Sequence, residues 1–167
     1  MEIEITQATP AHKPVLANLF ELYLHDFSEY TEADVQDDGR YGSPYLDSFW
    51  TTPGRFPFLV RVGGALAGFA LVMRGSHLTG DPDVADMDEF FVMRKYRRHG
   101  VGEAMARAVF DRFPGRWEVR VMRNNTPAQA FWRAIISRYT GGRFEERAWD
   151  DDRWRGLVQF FDSRDRA

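Results

Sequence analysis

The sequence predicts a single α+β domain over residues 1–167, built on a mixed β-sheet. At 167 residues the chain is long enough for one domain with a full hydrophobic core and short for two. Hydrophobic residues make up 44% and charged residues 28%, which is an ordinary globular composition. Strand-like and helix-like patterns follow one another without an internal repeat, a linker or a low-complexity segment.

In the first half, periodicity places a strand, two helices and a hairpin. Glu2–Thr6 alternates polar and apolar residues, which predicts a strand. Thr9 is placed to cap a helix that starts at Pro10 and carries apolar residues at helical spacing up to about Phe27. The remaining elements are a short helix and two strands joined at Gly63-Gly64, over Pro44–Trp50, Phe56–Val62 and Leu66–Arg74.

The second half is predicted to contain two consecutive strand–helix units and then a closing hairpin. Pro114-Gly115 ends the first of these helices, and Thr126 begins the second with capping-box spacing to Gln129. An acidic turn, Asp150–Asp152, separates the hairpin strands. The strands are Met87–Met93, Trp117–Met122, Arg143–Trp149 and Trp154–Phe161, and the helices begin at Gly100 or Val101 and at Thr126.

Composition excludes several classes of function. The chain has no cysteine, so it cannot form a disulfide framework, a cysteine-ligated zinc site or a thiol nucleophile. The four histidines show no metal-ligand spacing, and no metal is expected. A formal net charge of -3 argues against a nucleic-acid binder. No apolar run approaches a bilayer span and no secretory signal opens the chain, so no membrane contact and a cytoplasmic location are expected.

A cationic glycine turn precedes the first helix of the second half. Four of the five residues in Arg94–Arg98 are cationic. Unpaired N–H groups at a helix N-terminus attract anions, and Gly100 and Gly102 leave room for an anion beside the main chain. Arg97 and Arg98 are placed to add charge-assisted contacts. A solvated turn whose cations only cover the surface is the alternative, and these residues alone do not decide between the two.

Two other phosphate-binding motifs are absent from this turn. The chain lacks Gly-x-x-x-x-Gly-Lys-Ser/Thr and is therefore not a P-loop protein. Gly100-Val101-Gly102 lacks the third glycine of the dinucleotide fingerprint, because Met105 occupies that place. The turn also comes too late in the chain for a full dinucleotide-binding half to follow.

Two motifs resemble those of the GNAT superfamily of N-acetyltransferases. Arg97-x-x-Gly100-x-Gly102, with Val92 five residues before the arginine, is similar to its motif A. Asn125-x-x-Ala128-x-x-Phe131-Trp132 is similar to its motif B, and the likeness covers about residues 85–135. The resemblance implies a mostly antiparallel sheet with helices on both faces. It also implies acetyl transfer from acetyl-CoA to a primary amine, by direct attack in a ternary complex.

The resemblance further implies which residues hold acetyl-CoA. Backbone groups of Phe90, Phe91 and Val92 would pair with the pantetheine arm. The second motif would contact the cofactor through Asn125, Phe131 and Trp132. The pyrophosphate would be held by the backbone amides of Arg97, Arg98, His99, Gly100, Val101 and Gly102.

Asp88 and Glu89 are the candidate catalytic bases. An amine must lose a proton before it attacks, and a carboxylate can take that proton directly or through water. Strand alternation predicts that the two side chains lie on opposite faces. Similarity of this strand to diamine acetyltransferases favours Asp88, although a surface carboxylate is an equally good interpretation of either residue. Trp132 stands where the family often carries a tyrosine acid, so the acid stays unassigned.

The sequence says least about the acceptor. The acidic segment Glu29–Asp38 precedes the aromatic residues Tyr41, Tyr45, Phe49 and Trp50, which together suit a small cationic amine. A solvated loop followed by core aromatics is the plainer alternative. A peptide amine and an aminoglycoside stay open as acceptors, and so does a homodimer. A non-catalytic acyl-CoA-binding or regulatory module is the alternative function.

Overall fold

The computed structural model describes residues 1–167 and contains one seven-stranded sheet. The strands are β1 (Ile3–Gln7), β2 (Arg55–Val62), β3 (Ala65–Arg74), β4 (Val84–Val92), β5 (Arg116–Met122), β6 (Phe144–Asp150) and β7 (Arg155–Asp162). They lie in the order β1-β2-β3-β4-β5-β7-β6, and every neighbouring pair is antiparallel except β4 and β5. The predicted α+β fold with a mixed, mostly antiparallel sheet is confirmed.

Four α-helices and three single turns of 3-10 helix accompany the sheet. The helices are α1 (Lys13–Thr31), α2 (Ser48–Thr51), α3 (Val101–Arg112) and α4 (Thr126–Thr140). The 3-10 turns are Pro10–His12, Pro44–Asp47 and Arg94–Tyr96. None of the helices combines the length and the apolar composition that crossing a membrane requires.

Each face of the sheet carries its own hydrophobic core. Helices α3 and α4 cover one face, where the ring of Phe110 lies 5.0 Å from Trp117 and 4.8 Å from Phe161. Helices α1 and α2 cover the other face, over β2, β3 and β4. Alternate residues of β4 therefore enter different cores: Phe90 packs against the first and Phe91 belongs to the second.

Helix α1 extends beyond its predicted end. The predicted apolar stripe supplies its buried residues, which are Leu16, Leu19, Phe20 and Tyr23. The helix continues past Phe27 to Thr31 and ends where Glu32 takes a left-handed φ of 56°. The additional turn reaches the second motif, because the carbonyl of Tyr30 accepts a hydrogen bond from Asn124 Nδ2 at 2.9 Å.

Helix α4 begins at the predicted residue, but the predicted cap is wrong. The side-chain oxygen of Asn125 accepts a hydrogen bond from the Ala128 N–H at 3.1 Å, which makes Asn125 the N-cap. Gln129, the expected partner of Thr126, instead donates to two carbonyls at the end of β5, at 3.1 and 2.9 Å. Asn125 therefore anchors the helix that carries the second motif.

We expect Asn125→Ala to lower the free energy of unfolding by about 1 kcal/mol, because the α4 N-terminus loses its cap. Thr126→Ala is the matched control, since its side chain is exposed and makes no capping bond. That change should stay within about 0.5 kcal/mol of the parent. Urea unfolding of the three proteins gives both values. Equal losses for the two variants would contradict the assignment of the cap.

Candidate active site

The strands β4 and β5 part half-way along their length. They pair in parallel only over Val84–Met87 and Arg116–Val119, which is also why β4 begins earlier than the predicted Met87. Beyond these residues β4 is paired with β3 alone, and its other edge is open. We call this opening, between Asp88–Val92 and Arg120–Met122, the strand gap. It exposes backbone groups of β4 that could pair with an amide-containing ligand.

A β-bulge at Asp88 resets the alternation of β4. Leu71 of β3 pairs with Glu89 and the next residue, Val72, pairs with Met87, so that Asp88 has no partner. Asp88 bonds to Arg120 of β5, and Glu89 bonds to Tyr23 of α1. Both carboxylates therefore lie on the face covered by α1. The prediction that they point to opposite faces is wrong, because alternation assumes an unbroken ladder.

A row of backbone amides without a backbone acceptor lies at the N-terminus of α3. None of the N–H groups from Arg98 to Glu103 bonds to a carbonyl of the protein. The chain can turn there because Arg98 and Gly100 adopt positive φ angles of 63° and 79°. Together with the positive end of the helix dipole, these amides form a concavity whose chemistry suits an anion. A Cβ at Gly100 would meet no atom within 4 Å, so the space beside the amides is open.

The side chains of the basic turn (Arg94–Gly100) are largely engaged within the protein. Arg97 donates to the Val92 carbonyl at 2.7 Å and pairs with Asp26 of α1, which also pairs with Arg94 at 2.8 Å. The Arg97 N–H bonds to the carbonyl of Arg94 at 3.2 Å. In this structure the amide and the guanidinium of Arg97 are both engaged within the protein, and its contact with an anion stays a prediction. Arg98 is exposed and pairs with no carboxylate.

Gly102 lies against the ring of Phe131, where a side chain would be crowded. A Cβ on Gly102 would lie 3.0 Å from the ring of Phe131 and 3.7 Å from the side chain of Val92. Phe131 thus packs against the first turn of α3 and joins the two predicted motifs. The side chain of Val101 is fully buried, so only its amide is available to a ligand.

Trp132 belongs to the core and not to an exposed surface. Only 6% of it is exposed, and its ring lies 4.8 Å from Phe90 and 4.9 Å from Phe131. The prediction that Trp132 contacts the cofactor is therefore not supported, because the aromatic ring fills the space between α4 and β4. Its effect on the strand gap is indirect, through the position of Phe90.

Two tyrosines from distant segments hold Glu89. Tyr23 of α1 and Tyr45 of the turn before α2 donate their hydroxyls to its two carboxylate oxygens, the latter at 2.9 Å. Burial, and next the charge of Asp88, raise the pKa of Glu89 to about 7, although both tyrosine hydrogen bonds oppose the shift. Glu89 is half-buried, and Tyr45 beside it is 40% exposed. A pKa near neutrality suits a general base.

Asp88 is held differently, by a buried ion pair. Nη2 of Arg120 bonds to Asp88 Oδ1 at 3.1 Å and to Asp86 Oδ2 at 2.9 Å. Asp86 is fully buried, and burial raises its pKa to about 8 against the attraction of Arg120. No group of three or more acidic or histidine side chains has an arrangement that could hold a metal ion.

The acidic loop does not supply the carboxylates near Glu89. Residues 32–43 form no helix or strand, and 32–40 are all exposed. Phe49 is buried in the α1 core, whereas Tyr45 reaches Glu89. Trp50 is half-buried, and its indole Nε1 has no partner. The carboxylates on this face of the sheet come instead from the strands, through Asp86, Asp88, Glu89 and Glu118.

Sequence reasoning missed Tyr23, Asp86 and Arg120, and it named Tyr45 only as an aromatic residue near the acceptor, without its hydrogen bond to Glu89. A tyrosine in a buried stripe brings a hydroxyl that needs a partner, so Tyr23 carried a usable signal. Asp86 carried no such signal, because the predicted strand began at Met87 and left Asp86 outside it, whereas β4 begins at Val84. The tyrosine signal does not identify the partner.

Comparison with known proteins identifies the fold as that of an acetyltransferase. The model of the acetyltransferase (GNAT) family matches residues 16–135. This is most of the chain, which therefore belongs to the GNAT family. A search of curated proteins found no significant match.

Three solved structures illustrate the likeness. An acetyltransferase from Thermus thermophilus is 18% identical, with 96% of this chain and 95% of that one covered and a TM-score of 0.67. The PaiA N-acetyltransferase from Thermoplasma acidophilum, in complex with coenzyme A, is 12% identical, with 97% and 99% covered and a TM-score of 0.63. The ribosomal-protein-S18-alanine N-acetyltransferase from Escherichia coli is 15% identical, with 95% and 91% covered and a TM-score of 0.58. At these identities the likeness concerns the fold.

Proposed function

We propose that the protein transfers an acetyl group from acetyl-CoA to a primary amine, which attacks directly in a ternary complex. The observation that carries this proposal is the row of unpaired amides, Arg98–Glu103, beside the strand gap. An anion-binding concavity suits a pyrophosphate, and an open strand edge suits the amides of a pantetheine arm. Membership of the GNAT family supports acetyl transfer in general.

The chain's own groups fit acetyl-CoA in two places. The amides of Arg98 to Glu103 would hold the pyrophosphate, with the exposed Arg98 adding a cation. Backbone groups of Phe90–Val92 on the open edge of β4 would pair with the pantetheine arm. Asn125 would lie at the other side of the gap, at the head of α4. Acetyl-CoA supplies a thioester that is already reactive towards an amine.

Glu89 is the base in this proposal. Its carboxylate lies beside the exposed Tyr45, whereas Asp88 bonds to Arg120 and its other oxygen is buried without a partner. Glu89 is thus placed to take the proton of the acceptor ammonium, directly or through a water molecule. The tyrosine hydrogen bonds hold the carboxylate in one orientation while it does so.

The acceptor would enter from the face covered by α1, where Tyr45 and Glu89 meet solvent. The carboxylates on this face favour a cationic amine over an anionic one. A small-molecule amine and a peptide amine both fit this description.

One observation keeps a non-catalytic acyl-CoA-binding module as the second candidate. The position that the family resemblance gives to a tyrosine acid carries Trp132, whose indole lies in the core. Indole is not an acid near neutral pH. A thiolate with an ordinary pKa of about 8.5 can nevertheless leave without a proton donor, so catalysis does not depend on that position.

Thiol release decides between the two functions. The protein is mixed with acetyl-CoA and a panel of amines that includes a diamine, an aminoglycoside and a peptide with a free N-terminus. We expect release of free thiol with at least one amine. Saturable binding of coenzyme A without release for any amine would favour the binding module, and no binding of coenzyme A would contradict both functions.

A further inference from the structure

Arg120 ties β5 to β4 at the point where the two strands part. It follows Val119, the last residue of β5 that pairs with β4. Its Nε and Nη2 donate to Asp86 Oδ2 at 3.2 and 2.9 Å, and Nη2 also donates to Asp88 Oδ1 at 3.1 Å. Only 8% of its side chain is exposed, and the Trp154 ring centre lies 5.1 Å from its guanidinium carbon. The guanidinium is therefore fixed from both strands and from the β6–β7 turn.

The carboxylates around Arg120 outnumber it. Asp86 and Asp88 both accept hydrogen bonds from its guanidinium, and each keeps one buried oxygen without a hydrogen-bond donor. Glu118 is a third carboxylate close to Asp86, and it accepts from Ser76 Oγ at 2.7 Å. A buried carboxylate without a cation takes up a proton, because burial penalises the charged form. Arg120 is thus the cation that bonds directly to Asp88, and it favours the ionised form of that carboxyl.

We propose that Arg120 is a positioning residue that acts on Glu89 through Asp88. It keeps the Asp88 carboxylate charged and fixed on the same face as Glu89, and this neighbouring negative charge makes Glu89 a stronger proton acceptor. The bulge in β4 supplies the geometry, because without the extra residue the two carboxylates would point to opposite faces. The inference rests on the proposed function, since it concerns the base of that reaction.

Groups from four elements face Glu89. Tyr23 of α1 and Tyr45 of the turn before α2 donate hydrogen bonds to it, and the charges of Asp88 on β4 and Arg120 on β5 act on it. Burial and then Asp88 raise the pKa of Glu89, whereas the two tyrosines and Arg120 lower it. Loss of the Asp88 charge should therefore let Glu89 release its proton at lower pH. Two further groups act on Asp88 itself, Arg55 of β2 and His77 of the β3–β4 loop.

The test is a double-mutant cycle. The quantity measured in each variant is the pH at which kcat/KM falls on the acidic side of its pH profile, which we call the acid limb. In the parent chain, Asp88→Asn is expected to move this limb to lower pH by about one unit. In the Arg120→Gln background Asp88 takes up a proton, so Asp88→Asn should move the limb no further. In the Arg120→Lys background the charge is kept, and the shift should return. A purely structural role would lower activity without this dependence on background.

Two results would overturn the inference: a limb that stays in place after Asp88→Asn, or an equal shift in the parent and Arg120→Gln backgrounds. If Arg120→Gln does not fold, Asp88→Asn in the parent still tests the inference, because a limb that stays in place would overturn it. Carbon-13 NMR titration of the Glu89 carboxyl in the unliganded protein measures the same shifts without turnover. If the parent protein acetylates no amine, the proposed function is contradicted. The NMR shifts would still test whether Arg120 acts on Glu89 through Asp88.

Discussion

Gly100→Asp is expected to weaken coenzyme A binding by about 100-fold or more while the domain stays folded. The substitution fits sterically, because a Cβ at this position meets no atom within 4 Å. It places a carboxylate at the N-cap of α3, beside the unpaired amides. Two like charges 4 Å apart repel by about 4 kcal/mol near a protein surface, and a 100-fold loss needs about 2.7 kcal/mol. Calorimetric titration with coenzyme A measures the change.

Gly100→Asn is the matched control for that substitution. Asn has nearly the same size as Asp and the same left-handed backbone requirement, since Gly100 has a φ of 79°. It carries no charge, so it should weaken binding only a few-fold through backbone strain. Equal affinities of the Asp and Asn variants for coenzyme A would contradict the assignment of the pyrophosphate to this turn. Circular dichroism of both variants checks that the fold is kept.

Local patterns predicted the order of the elements well, because each depends on neighbours a few residues away. The Gly63-Gly64 hairpin, the apolar stripe of α1 and the closing hairpin all lie where periodicity and turn residues placed them. The β-bulge at Asp88 could not be predicted in this way. It is a register shift between β3 and β4 at Leu71 and Val72, and a shift between two strands does not change the period of the sequence in either one.

The candidate site likewise has one part that depends on neighbouring residues and one part that depends on distant residues. The geometry of the basic turn was predictable, since glycine at a left-handed N-cap and the following helix are contiguous in sequence, although the turn alone left open whether it holds an anion. The environment of Glu89 was not, because its partners Tyr23 and Tyr45 lie 66 and 44 residues away. The resemblance to diamine acetyltransferases favoured Asp88, whereas the contacts in the structure favour Glu89. That change depends wholly on long-range contacts.

Helix α1, which lies outside both motifs, contacts two separate parts of the candidate site. Tyr23 bonds to Glu89, and Asp26, less than one turn further on, pairs with both Arg94 and Arg97 of the basic turn. The same helix therefore contacts both the proposed base and the basic turn that is proposed to hold the pyrophosphate. Because residues three apart are neighbours on a helix surface, a shift of α1 would change both contacts at once.

Glu89→Gln is expected to lower kcat by about 100-fold or more, because a positioned general base contributes roughly 100- to 10,000-fold. The glutamine keeps the size of the side chain and can accept one tyrosine hydrogen bond, but it cannot take a proton. The acid limb of the pH profile, which should lie near the Glu89 pKa of about 7, is expected to disappear. Affinity for coenzyme A should stay within about two-fold, since Glu89 is not part of the basic turn.

Stability gives an independent check on the same variant. The fold raises the pKa of Glu89 above its ordinary value, so it favours the protonated carboxyl. This contribution to stability is complete below the unfolded pKa and is lost as pH rises through about 7. Glutamine resembles the protonated form but loses one tyrosine hydrogen bond, and these two effects oppose each other. The variant should therefore melt close to the parent at pH 8. Low activity with a similar melting temperature then shows that the chemistry is lost and the fold is kept.

Asp88→Asn is the comparison that assigns the base. It removes the neighbouring carboxylate but leaves Glu89 and its two tyrosine hydrogen bonds in place. We expect it to keep kcat within about ten-fold of the parent at pH 8, where Glu89 is ionised in both proteins. A loss of 100-fold in Asp88→Asn with near-normal turnover in Glu89→Gln would reverse the assignment and return Asp88 to the role that its sequence motif implies.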